Sequence, residues 1–224
     1  LEFIFLSMSS TPILAFICAI LAVLVVYRLS HIAGRATPET LILAGVAVSS
    51  FSAAILSLII IISGQLQTIY FWLLGSLAQA RTLDVLTVLP YAIIGIVVAF
   101  LYSKDLNALL LGEEMAATLG IEVERVKLFL LIIASLMAAA STSVCGLIGF
   151  VGLIIPHFVR LIVGPNHKTL VPISLLSGMT LLIFADTLAR TLLAPTEIPI
   201  GIIMALIGAP FFLYILRKRR LKAR

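Results

Sequence analysis

Two adjacent carboxylates, Glu113 and Glu114, stand in the stretch LLLGEEMAATLG at residues 109–120, and acid–base or metal chemistry is the first thing to ask of them. The rest of the chain offers no nucleophile with its base, no phosphate-cradling glycine loop and no metal-ligand cluster, so neither catalysis nor a metal nor a cofactor is expected. His157 and Arg160 lie three apart in GLIGFVGLIIPHFVR, where they form a gate or interface, or cap and snorkel. A lone histidine with no second ligand near it is no metal site. Asp186 and Arg190 are four apart in FADTLAR. They are either an ion site of an ion-coupled secondary transporter, with Asp186 as the carrier, or an internal salt bridge. A single acid beside an arginine makes a poor ion relay, which favours the salt bridge. Cys18 and Cys145 have no spacing that suggests a disulfide framework or zinc and read as packing residues.

The elements that hold these residues are apolar. With 62% hydrophobic and 11% charged residues over 224, the chain lies outside the range of soluble domains. Runs of about 20 apolar residues, enough to cross a bilayer as helix, recur along its length. The expectation is an all-α, polytopic transmembrane bundle forming a single domain over 1–224. Its seven spans lie near 12–30, 39–63, 85–102, 126–145, 146–164, 170–192 and 199–217. Thr37 can cap the second, with Pro38 at its first position and Glu39 at its positive end. The half-polar stretch after span two, with Tyr70 and Trp72, suits a short helix lying at the interface.

If the spans alternate, thirteen of the fifteen basic residues fall on one side, and only Arg81 and Arg190 on the other. That bias puts the first side, with the C-terminus, in the cytoplasm. It also explains the net charge of +5 without nucleic acid. Seven spans then leave the N-terminus outside, and an odd number of further spans upstream would return it inside.

Residues 103–125 become the longest cytoplasmic loop. A helix at 112–119 would set Leu111, Met115 and Leu119 on one face and Glu114 and Thr118 on another, bounded by Gly112 and by Gly120 at a helix-stop position. Such a helix is either a docking element or a connector lying on the membrane surface. Two sets of small residues complete the candidates. Gly146, Gly149 and Gly152 recur every three residues and are expected to line one helix edge where another backbone approaches. Gly45, Ser49 and Ser52 form a stripe in span two that either lines a polar pathway or packs.

The loop LNALLLGEEMAATLGIEVER, the segment GLIGFVGLIIPHFVRLIVGPNHK, the run LLIFADTLAR and the ending APTEIPIGIIMALIGAPFFLYILRK together resemble the membrane permease subunits of ATP-driven (ABC) importers for ferric siderophores, haem and vitamin B12. The resemblance extends over essentially the whole chain, including LILAGVAVSS and FWLLGSL. It implies a ten-span fold in a bacterial or archaeal cytoplasmic membrane, in which two permease copies surround a central pathway. An extracytoplasmic substrate-binding protein delivers cargo, and separate ATPase subunits hydrolyse ATP. It assigns residues 105–122 to the cytoplasmic coupling loop, with Gly112, Glu113, Glu114, Ala117 and Gly120 as ATPase contacts, and Arg190 to binding-protein docking. The family's first three spans, with their asparagine-proline-leucine-alanine motif, have no counterpart here, and the first span aligns with the family's fourth.

Overall fold

The computed structural model describes residues 10–32, 35, 36, 38–64, 66–78 and 80–222. The opening residues 1–9 and the cap candidate Thr37 lie outside the described residues. Among the described residues the chain forms ten helices: α1 (Ser10–Ser30), α2 (Pro38–Ser63), α3 (Leu66–Leu74), α4 (Thr82–Leu101), α5 (Ser103–Leu109), α6 (Glu113–Thr118), α7 (Val123–Cys145), α8 (Val151–Val163), α9 (His167–Thr191) and α10 (Ile200–Lys222). A two-residue antiparallel ribbon pairs β1 (His31–Ile32) with β2 (Arg35–Ala36) between α1 and α2. The side chain of Thr40 closes this connection by donating to the Ser30 carbonyl at 2.9 Å.

Among the described residues, four helical stretches are long and apolar enough to cross a membrane: Glu39–Ser63, Thr82–Leu101, Val123–Cys145 and His167–Thr191. Three shorter apolar stretches, Ile17–Ser30, Val151–Val163 and Ile200–Leu213, complete the seven segments expected. The outer surface is equally apolar, with Ile61 77% and Leu161 71% exposed. Water would penalise such a surface at every residue, whereas hydrocarbon accepts it, so this is a multi-pass membrane protein. Helix α3, only 9 residues long, carries exposed Tyr70 and Trp72 and is about 14 Å in length, too short to span.

The fifth segment departs from expectation. Residues 146–150 are not helical, and α8 has 13 residues, about 20 Å, against about 30 Å of hydrocarbon. Gly146 ends α7 with φ 70°, its N–H donating to the Thr142 carbonyl at 2.9 Å. Phe150 then takes the left-handed conformation, φ 68°, and its carbonyl accepts from Ile154 N–H at 2.9 Å to start α8. Its ring lies where Gly208 of α10 leaves room for it. The three-residue glycine stripe therefore does not exist as a helix edge: Gly146 and Gly149 belong to a turn, and only Gly152 is helical. Gly146 does admit a close backbone, but that backbone is the end of α3, where a Cβ would overlap the Trp72 carbonyl oxygen. Gly201 of α10 meets the Leu74 carbonyl in the same way, and Ser76 N–H donates to the Cys145 carbonyl at 2.9 Å. Three chain segments thus join backbone to backbone at one end of the bundle.

The core lies beside this junction. Ile154, Ala185, Ala189, Ile200, Ile203 and Met204 tie α8, α9 and α10 together. A smaller cluster of Ile155, Val159 and Leu170 continues it towards the other end. Helix α7 packs against α1 and α4 to form the second half of the bundle.

Candidate functional site

The end of the bundle remote from the glycine junction holds the loop 103–125. Helix α6 ends in a motif that satisfies two carbonyls: Gly120, with φ 85°, donates to Ala117 at 3.0 Å, and Ile121 donates to Ala116 at 3.2 Å. A residue with a Cβ is strained there, which is why glycine follows the last turn. At the other end Gly112, φ 105°, precedes the helix, and its carbonyl accepts from Ala116 N–H at 3.0 Å.

Ala116 is fully buried and marks the face of α6 turned to the bundle. Beside it, Met115 of α6 and Leu119 at its C-cap are four apart and 56% and 64% exposed, whereas Leu111, 65% exposed, stands before Gly112 and outside the helix, so the three-residue row expected of a helix at 112–119 is shortened to two. Large apolar side chains exposed at a polar end of the molecule are unfavourable in water, and here three of them cluster within nine residues. Ala117 and Gly120 are exposed beside them.

The two glutamates divide. Glu113 reaches back to α7, where its Oε1 lies 2.5 Å from Lys127 Nζ. Lys127 is only 24% exposed and is shared with Glu124 at 3.4 Å, and Glu124 in turn accepts from the Tyr27 hydroxyl of α1 at 3.0 Å. Glu114 is exposed and forms no ion pair among the described residues. Both are exposed, Glu113 with 55% of its side chain accessible, and what separates them is the partner: neighbouring residues on a helix point about 100° apart, and only Glu113 is on the side of Lys127.

A second attachment escaped the sequence reading. Asn107 of α5 accepts two bonds at Oδ1, both 2.8 Å long, one from His167 N–H and one from His167 Nδ1. Its Nδ2 donates to Asn166 Oδ1 at 3.0 Å, the atom that also caps α9 by accepting from Lys168 N–H at 3.1 Å. The amide orientations follow from chemistry: backbone N–H groups can only donate, so both oxygens must face them. His167 therefore carries its ring proton on Nδ1.

Asp186 and Arg190 lie on α9 near the junction end, and Arg190 Nε donates to Asp186 Oδ2 at 2.8 Å. A carboxylate held by its own helix neighbour, only 23% exposed, is engaged as a salt bridge. Gly45 and Ser49 line a cleft of about 200 Å³ between α1, α2 and α7, while Ser52 is exposed outside it. Nothing lies within 4 Å of a Cβ built on Gly45 or on Gly152, so neither is a contact of close-packed helices. Gly152 instead lines a largely apolar groove of about 760 Å³ between α4, α7, α8 and α9, together with Gly95, Met137, Ser174 and Gly178. Ser174 Oγ is buried there with no hydrogen-bond partner. Arg160 and His167 stand at the groove's basic end. No cluster of His, Cys, Asp or Glu able to hold a metal occurs among the described residues.

Comparison with known proteins agrees with this architecture. The cobalamin import system permease of Halobacterium salinarum is 47% identical over 210 residues, covering 93% of this chain and 56% of its own length. The hemin transport system permease of Yersinia pestis is 37% identical over 221 residues, 96% of this chain and 65% of its own. The iron(III)-citrate import system permease of Bacillus subtilis is 38% identical, covering 94% of this chain and 63% of its own length. The chain thus spans between about half and two thirds of the length of these relatives. A solved metal-chelate type ABC transporter in an inward-facing conformation superposes with a TM-score of 0.81 at 33% identity, over 94% of this chain and 66% of that one. The model of the FecCD transport family matches residues 2–218, nearly the whole sequence, and the chain belongs to that family.

Proposed function

We propose that the chain is part of the membrane permease of an ATP-driven importer that carries a bulky iron chelate, haem or a corrinoid into the cell. The α5–α6 segment docks on a separate ATPase subunit, the glycine-junction end faces an extracytoplasmic binding protein through Arg190, and a second permease copy completes the pathway. ATP chemistry belongs to the partner. Alternating access then proceeds by tilting of helices as the docked segment moves. The membrane is the cytoplasmic membrane of a bacterium or archaeon, with the C-terminus inside, as the excess of basic residues at the α5–α6 end supports.

The observation that carries this reading is the exposed pair Met115 and Leu119 on a glycine-bounded helix, with exposed Leu111 just before it, in a chain whose relatives are named as import permeases. The test is Glu114→Lys combined with Met115→Asp in the full-length permease co-expressed with the ATPase of its operon. Co-purification of the ATPase is expected to fall at least about tenfold, the effect of losing about 1.4 kcal/mol at an interface. Uptake of cyanocobalamin, haemin and ferric citrate into proteoliposomes, measured in parallel, identifies the cargo. Full ATPase recovery together with undiminished uptake would overturn the docking assignment.

A further inference from the structure

The docking segment is fixed unevenly to the bundle. Towards α1 and α7, Leu106 and Leu109 of α5 stand over an apolar crevice of about 430 Å³ shared with Tyr27, Leu41 and Leu130, so α5 is loosely packed on that side. Towards α9 it is held by the three hydrogen bonds of Asn107, two to His167 and one to Asn166. These bonds go to the first turn of α9, whose N–H groups have no partner within their own helix. Asn107 thus supplies from another element what the helix cannot supply for itself. Removing it strands the His167 N–H and loosens the Asn166 cap at once.

Helix α9 is also a wall of the large groove. Leu170, Val171, Ser174, Gly178 and Leu182 follow one another along the face that lines it, and His167 stands at its mouth. Any displacement of the α9 N-terminus therefore reshapes that groove.

We infer that Asn107 is a positioning residue that makes α5 and the first turn of α9 move as one body, delivering movement of the docking segment to the groove wall. This rests on the docking role proposed above and adds the route by which docking reaches the bundle. The ion pair of Glu113 with Lys127 fastens α6 to α7 separately, so loss of Asn107 uncouples α9 without releasing the segment.

The experiment places spin labels at exposed Lys104→Cys on α5 and Thr180→Cys on α9 of the full-length permease, with Cys18 and Cys145 replaced by serine. The distance between them is measured in the complex with its ATPase, nucleotide-free and trapped with ATP and vanadate. With Asn107 present, the two distributions should coincide. In Asn107→Leu and in Asn107→Ser, whose hydroxyl is too short to reach His167, trapping should shift the distance by about 1–2 Å or more, the scale of helix shifts in switching proteins. Asn107→Asp keeps the acceptor for His167 and should restore coincidence. A merely structural residue would broaden both distributions alike, with no dependence on nucleotide. The inference is overturned if the Leu and Ser variants stay coincident, or if the distance already changes on trapping with Asn107 in place. Failure of the ATPase to co-purify with the unaltered permease would instead remove the proposed function, and this inference with it.

Discussion

Glycines in membrane helices invite one explanation, close packing, and this chain allows that explanation to be tested with opposite signs in a single protein. A Cβ on Gly201 would overlap the Leu74 carbonyl oxygen and also stand 3.0 Å from the Leu74 carbonyl carbon and 3.2 Å from the Leu147 carbonyl oxygen. All three are backbone atoms, so no rotamer change relieves the overlap. Inserting a methyl into such a site costs about 1–3 kcal/mol, and the overlap with an oxygen puts Gly201→Ala at the upper end. Against this stands about 1 kcal/mol that alanine gains over glycine within a helix. The net expectation is a loss of about 2 kcal/mol. Gly45→Ala meets nothing within 4 Å and should keep the propensity gain, up to about 1 kcal/mol of added stability. The assay is reversible unfolding in mixed micelles by titration with sodium dodecyl sulfate, followed by circular dichroism. The reasoning fails if Gly201→Ala is as stable as the unaltered chain, or if Gly45→Ala loses as much as Gly201→Ala.

The ion pair of Glu113 and Lys127 should show a coupling of about 0.5–1 kcal/mol in a double-mutant cycle with Glu113→Gln and Lys127→Met, read by the same unfolding assay, since Lys127 is three-quarters shielded from solvent. A coupling indistinguishable from zero would mean that the pair does not hold α6. Asp186→Asn should cost no more than about 1 kcal/mol of stability and leave ATP-driven uptake within about twofold of normal, because Asp186 serves Arg190 rather than an ion. Uptake by the unaltered protein that survives ATP depletion but collapses with the proton gradient and is lost in Asp186→Asn would refute that role.

Much of the architecture is legible in residue types alone. Apolar runs mark the helices because lipid demands that every backbone group be satisfied within its own segment. Their ends extend about a turn past the run, as at Thr82 and Val123, where polar residues reach beyond the hydrocarbon. Gly112 and Gly120 bounded α6 correctly because a left-handed residue after a helix is a local requirement. The turn at 146–150 was hidden, since GLIGF is as apolar as its neighbours and only Gly146, placed after Cys145, signals a stop. The cap that Asn166 places on α9 is a local signal, readable in principle though not taken up above. Its link to Asn107, 59 residues away, was not, because one sequence carries no record of contacts between distant positions. Nor does adjacency reveal that Glu113 is paired and Glu114, among the described residues, is not. That distinction depends on where Lys127 stands.

The junction of α3, α7 and α10 has a mechanical consequence. Backbone pressed on backbone has no side chains to rearrange, so under the alternating access proposed above this end would serve as the fulcrum, and the helices anchored at or beside it, α9 among them, as arms. Helix α9, with 25 residues, is about 38 Å long, and a tilt of only about 5° about its junction end sweeps the opposite tip through about 3 Å. That tip is where Asn107 is fastened. Leverage in this fold is therefore set by helix length, and a small displacement at the membrane surface becomes a smaller, graded one at each successive turn of the groove wall.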